Sequence, residues 1–222
     1  MIPKNLTTDP LIYGLVPPPL ETCLGAPVQP ALISALTDMA SAARAAGFDL
    51  AIASGYRDFA RQLLIFNAKA RGERPLLNDR GQPVKASNLS TDELLSAILR
   101  WSALPGASRH HWGTDIDVYD AGVCVDGYSL ALTTAECEGV MAPFHLWLSE
   151  YLATQSLFIR PYCQDRGGVA PEPWHLSFAP LAQAYRQAFN VRDLEQVLKA
   201  ADVALKDAVL ARLMALVTRY VV

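Results

Sequence analysis

Apolar residues recur at helical spacing over Ala31–Ala46 (Leu32, Leu36, Met39, Ala40, Ala43), and Gly47 supplies a stop. Asp58 is placed to cap a second helix running through Lys69, and Thr91-Asp92-Glu93 opens a third that continues to Trp101. Pro143 to Leu152 has an amphipathic pattern. Beyond Pro180 the spacing of Leu194, Val197, Leu198, Leu205, Val209, Leu210, Leu213 and Leu216 predicts helix to the end of the chain. Four short stretches instead suit strands: Phe48–Ala53, Ile116–Tyr119, Leu157–Arg160 and Trp174–Phe178. Residues 71 to about 90 are polar and carry Gly72, Pro75, Gly81 and Pro83, which predicts a loop. The pattern as a whole is α+β, with helices around a small, antiparallel sheet. Three segments are expected: a proline-rich extended arm over 1–30, a domain over 31–180, and a helical extension over 181–222, whose helices from about Val191 to Val222 read as a hairpin packed on the domain or a self-association surface.

The composition narrows the class. Hydrophobic residues make 51% of the 222 and charged residues 18%, enough apolar surface to bury a core. A net charge of −3 argues against a general nucleic-acid binder. No apolar run is long enough to span a bilayer and no secretory signal pattern opens the chain, so a cytoplasmic location is the default expectation. Cys23, Cys124, Cys137 and Cys163 lack metal-ligand spacing and are expected as reduced thiols, with a Cys124–Cys137 bridge as the alternative.

Two of the four histidines sit beside carboxylates. The first group is Ser108-Arg109-His110-His111-Trp112-Gly113-Thr114-Asp115-Ile116-Asp117, the second Glu172-Pro173-Trp174-His175. His110 and Asp117 would lie about 23 Å apart in a straight strand, so they can share an ion only if the chain reverses between them. Gly113 permits that reversal. Two histidines and one aspartate would leave one position of a zinc ion open for water, with Glu172 near enough to take a proton. On spacing alone the competing reading, hydrogen-bonded core histidines, carries equal weight. His111 reads as a supporting or surface group, and His145 as a helix residue without catalytic role.

Ser-x-His-x-x-Gly-x-x-x-Asp at Ser108, His110, Gly113 and Asp117, then Glu-x-x-His at Glu172 and His175, resembles the VanY-type D,D-carboxypeptidases. That zinc metallopeptidase group also includes D-Ala-D-Ala dipeptidases and the hedgehog domain. The Ser54-Gly55-Tyr56-Arg57 turn, with Gln62 on the next helix, is similar to a third signature of the family. The resemblance covers roughly Ala31 to Ala179. It implies the corresponding fold, one Zn2+ held by His110, Asp117 and His175, Glu172 as general base and then acid, and Arg57 stabilising the oxyanion or the substrate carboxylate. It further implies that Ser108 and Gln62 help hold the end of a peptidoglycan stem peptide or muropeptide. Trp174 is expected either to orient His175 or simply to fill the core. Asp115 departs from the pattern, because the family more often has a small or apolar residue there, and it reads as a partner of the ligands in preference to an alternative ligand. The implied activity is removal of a C-terminal D-alanine, with an endopeptidase or a non-catalytic zinc module as alternatives. Peptidoglycan lies outside the cytoplasm, so action at the cell wall would need another export route.

Overall fold

A computed structural model describes residues 2–79, 81–125, 127–154 and 157–221. The chain opens with a 3-10 turn at Pro10–Tyr13 and a hairpin of β1 (Glu21–Cys23) and β2 (Ala26–Val28). Helix α1 (Ile33–Ala45) leads into β3 (Leu50–Ser54), and α2 (Phe59–Ala70) follows. The expected loop at 71–90 contains a small hairpin, β4 (Leu76–Leu77) with β5 (Pro83–Val84). Next come α3 (Thr91–Trp101), β6 (Asp115–Asp120), α4 (Thr134–Glu138) and α5 (Ala142–Thr154). The last elements are β7 (Phe158–Ile159), β8 (His175–Phe178), α6 (Ala179–Ala188), α7 (Val191–Ala200), α8 (Lys206–Ala211) and α9 (Leu213–Tyr220). No helix among the described residues is long and apolar enough to cross a membrane.

Local chemistry sets several boundaries. Asp58 accepts the amide of Arg61 and starts α2, and Ser90 with Glu93 forms a reciprocal capping box at α3. The predicted strands pair as one antiparallel sheet in the order β3-β6-β8-β7. One core packs α1 and α5 on that sheet, with Leu36, Met39, Ile116, Val118, Leu148 and Leu176 buried. A second core joins α2, α3 and the C-terminal helices through Phe66, Leu95, Ile98, Leu198, Val209 and Val217. Burying each such side chain contributes about 1.5–3 kcal/mol before entropy is counted.

Both cores cross the segment boundaries expected from sequence. The C-terminal helices are three after α6 and not a hairpin, and their apolar stripe faces α2 and α3. The N-terminal segment is not a free arm, since Tyr13 is buried in the helical core and Val28 in the sheet core. Consecutive prolines exclude helix but not packing, and a proline at the first position of a 3-10 turn gives up no hydrogen bond. All four cysteines are free, so the Cys124–Cys137 bridge is not formed.

A single carboxylate clasps the two ends of the chain. Asp193 on α7 accepts the amides of Thr7 and Thr8 at 2.9 Å each and their hydroxyls at 3.0 and 2.8 Å. Burial would raise its pKa, but these four donors outweigh it and hold the carboxyl below its ordinary value. A carboxyl so depressed contributes stability above its unfolded pKa and loses it as pH falls through the folded one. Asp193→Ala is therefore expected to cost about 2–4 kcal/mol in urea unfolding at pH 7. The deficit relative to wild type should shrink below about pH 4, the ordinary carboxylate range.

Candidate metal centre

The site begins at a chain reversal. Arg109–Trp112 forms a 3-10 turn that ends at Gly113 with φ +66°, after which β6 runs back beneath it. A Cβ at Gly113 would also meet Leu20 at 3.2 Å and Gln29 at 3.3 Å. This reversal brings His110 Nε2 to 3.3 Å from Asp117 Oδ2. The third residue comes from sheet register: Asp117 on β6 is paired with His175 on β8, so the two side chains share a face. His175 Nδ1 lies 3.1 Å from Asp117 Oδ1, and the two imidazoles meet edge-on with centroids 4.9 Å apart. One donor atom from each of His110, Asp117 and His175 lies within 4.8 Å of the others, and all three residues are buried.

Each imidazole is oriented from behind. His110 Nδ1 donates to the Gly55 carbonyl at 2.9 Å, which aims Nε2 inward. His175 Nε2 donates to Asp115 Oδ1 at 3.1 Å, which aims Nδ1 inward. Asp115, fully buried, is held in turn by Arg109 Nε at 2.6 Å, Thr114 Oγ1 at 2.8 Å and Ser177 Oγ at 3.2 Å. It is a partner of His175, as the sequence indicated.

The electrostatics call for a cation. Burial alone would raise the pKa of Asp117, yet His110 and His175 hold it well below the carboxylate range. Burial would lower His175, but Asp115 and Asp117 push it up to about 10, so positive charge is favoured here and a metal ion would take the place of the Nδ1 proton. Asp117 Oδ1 is still buried without a hydrogen-bond partner, because the 3.1 Å approach of His175 Nδ1 is misaligned for one. Two nitrogens and a carboxylate oxygen that lacks a donor fit a first-row metal.

A cavity of about 320 Å³ opens over these donors. Glu172 lines it with Oε2 3.5 Å from His175 Nδ1, and burial, opposed by the positive charge of His175, raises its pKa to about 7. Arg57 lines it too, donating to Gln62 Oε1 and Ser54 Oγ at 2.9 Å each. Burial lowers the Arg57 pKa, and Asp117 and Glu172 oppose that. Ser108 is buried in the cavity wall. Gln62 is not free for a ligand: it is fully buried, and its amide nitrogen donates to Ser102 Oγ at 3.2 Å and Ala103 O at 2.6 Å. Trp174 is buried and also lines the cavity.

His111 lies outside the metal group and is no surface group. It is fully buried, donates to the Arg57 carbonyl at 2.6 Å and accepts the Gly106 amide at 3.1 Å, so it fastens the start of α2 to the site. His145 lies on α5, away from the site cavity. Sequence reasoning missed Lys69, Tyr162 and Tyr220, all in the cavity wall, and the support that Arg109 gives Asp115. Lys69 had a signal, since it follows Gln62 by seven residues and shares its helix face. Burial lowers its pKa to about 8. Tyr162 packs edge-on to His175 at 5.0 Å and Tyr220 arrives from α9, and neither has a local signature.

Residues 26–181 match the family VanY: D-alanyl-D-alanine carboxypeptidase, so the chain belongs to this peptidase family. An uncharacterized protein of Haemophilus influenzae is 34% identical over 124 residues, covering 54% of this chain and 93% of that one. A D-alanyl-D-alanine carboxypeptidase of Enterococcus faecalis is 26% identical over 152 residues, 67% of this chain, which spans 47% of that enzyme's length. Among solved structures, a vancomycin-resistance D,D-pentapeptidase VanY variant in complex with Zn(II) is 26% identical with a TM-score of 0.52, covering 80% of this chain and 88% of its own. VanYB in complex with D-alanine-D-alanine, at 24% identity and TM-score 0.53, covers 90% and 93% respectively and shares the fold.

Gly113→Ala is expected to lower unfolding stability by about 1–2 kcal/mol, from the left-handed backbone alone. The measurement is the urea midpoint, and an unchanged midpoint would show that the reversal does not depend on glycine.

Proposed function

We propose that the protein is a zinc-dependent D,D-carboxypeptidase that removes the C-terminal D-alanine from peptidoglycan-type peptides. The observation that carries this reading is the convergence of His110, Asp117 and His175 beside a carboxyl, Glu172, whose pKa stands near neutrality. These three residues would hold one Zn2+, and the VanY structure at 26% identity is a complex with Zn(II). Zinc in such a site supplies a Lewis acid for the scissile carbonyl and lowers the pKa of water.

The remaining work falls to the chain's own groups. A carboxyl with a pKa of about 7 can take a proton from the attacking water and return it to the leaving amine. The Arg57 guanidinium, clamped by Gln62 and Ser54, offers fixed positive charge to the oxyanion or to the peptide's terminal carboxylate. Gln62 thus acts by positioning Arg57, and Ser108 is the polar wall residue beside His110. Arg57 and Lys69 give the cavity wall two cations close enough to act on each other, which suits a free C-terminus and favours exopeptidase action over cleavage within a chain. Asp115 fixes the ring of His175 and raises its basicity as a ligand.

Zinc-loaded protein should release free D-alanine from a stem peptide ending in D-Ala-D-Ala, and lose that activity on chelation. Glu172→Ala should lower kcat by about a hundred- to ten-thousand-fold with zinc content unchanged. Wild-type rates in that variant would remove Glu172 from the chemistry. Asp115→Ala should weaken zinc binding by about 10- to 100-fold in competition with a chelator, with Asp115→Asn intermediate.

A further inference from the structure

A second pocket of about 140 Å³ adjoins the candidate site and shares Arg109, Tyr162, Val169 and Tyr220 with its wall. Three more arginines line it from separate elements: Arg166 between β7 and β8, Arg186 on α6, and Arg219 on α9. No Asp or Glu is among its lining residues. The adjacent acid, Asp165, is turned away onto Arg100, with Arg100 Nη1 2.9 Å from Oδ1, and onto the Gly167 amide at 2.8 Å. Arg109 is matched by Asp115, and Arg219 donates through Nε to the Gly167 carbonyl at 2.5 Å. The side chains of Arg166 and Arg186 have no hydrogen bond or ion pair among the described residues. In a chain of net charge −3, this pocket concentrates unmatched positive charge in one concavity.

Its place in the fold sets which part of a ligand it meets. Arg57 follows β3 and Tyr162 follows β7, the two edges of the sheet order β3-β6-β8-β7. The metal donors lie on β6 and β8 and on the turn before β6. For a peptide with its terminal carboxylate at Arg57 and its scissile bond over His175, the arginine pocket is reached past Tyr162, whose ring packs on His175 and which lines both cavities. We propose that this pocket is a subsite for carboxylates carried by the peptide on the N-terminal side of the scissile bond, so that the protein selects acidic peptides. Guanidinium groups suit this because they bind carboxylates with two parallel hydrogen bonds and stay charged at any working pH. The orientation rests on the function proposed above.

The test compares two N-acylated peptides with the same D-Ala-D-Ala terminus, one carrying a glutamyl and the other a glutaminyl residue upstream. With zinc-loaded wild type, KM should be about tenfold lower for the acidic peptide, and rising salt should narrow the gap. In Arg166→Glu/Arg186→Glu and in the milder Arg166→Gln/Arg186→Gln, the ratio of the two KM values should fall toward one. Equal KM values in wild type, or an undiminished ratio in both double variants, would overturn the subsite. Calorimetry of both peptides on Glu172→Ala protein reads the same preference as a ratio of Kd values. If neither peptide is hydrolysed the proposed reaction fails, while the Kd ratio still decides the pocket.

Discussion

Two carboxylates, Asp115 and Asp117, are buried on the same face of the central strand β6, and compensating their charge organises everything around them. An uncompensated buried carboxylate costs several kcal/mol, so each must find positive charge or hydrogen-bond donors at fixed positions. Asp115 finds Arg109, Thr114, Ser177 and the outer nitrogen of His175. Asp117 finds two imidazole edges and keeps one oxygen without a donor. The difference between them separates the supporting carboxylate from the one that faces the cavity.

That compensation also ties the two hydrophobic cores together. The His110 carbonyl accepts the Arg57 amide, and the Arg57 carbonyl accepts His111, so the turn that carries the donors is bonded to the start of α2. β3, which leads into this junction, belongs to the sheet core through Leu50 and Ile52, and α2, which follows it, to the helical core through Phe59 and Phe66. A site fastened to both has little freedom to spread its donors, which is the preorganisation that a cation with defined geometry requires. The Asp193 clasp extends the same logic to the chain ends by holding the N-terminal segment on α7.

The cavity brings charges of both signs together. Arg57 and Lys69 line it together with Glu172, whose carboxyl lies beside His175, and further arginines line the adjoining pocket. Net acidity of the whole chain gives no hint of this distribution. Local fields in a cleft follow the side chains that line it and not the total charge.

The helices α1, α2, α3 and α5 and the four sheet strands were legible because period and capping residues are local properties of the chain. So were His110, Asp117, Glu172 and His175 as candidates, which the fold brings to one cavity, since their spacing about Gly113 and within a four-residue turn is itself a local feature. The packing of the proline-rich segment was not, because prolines restrict φ without stating what Tyr13 and Val28 bury against. Nor was the engagement of Gln62, the burial of His111, or the arrival of Tyr162 and Tyr220 in the wall of the site cavity. The sequence by itself determined which residues could bind a cation and move a proton. Only the tertiary structure decided what supports them and what walls the cleft, because those contacts join residues far apart along the chain through sheet register and helix packing.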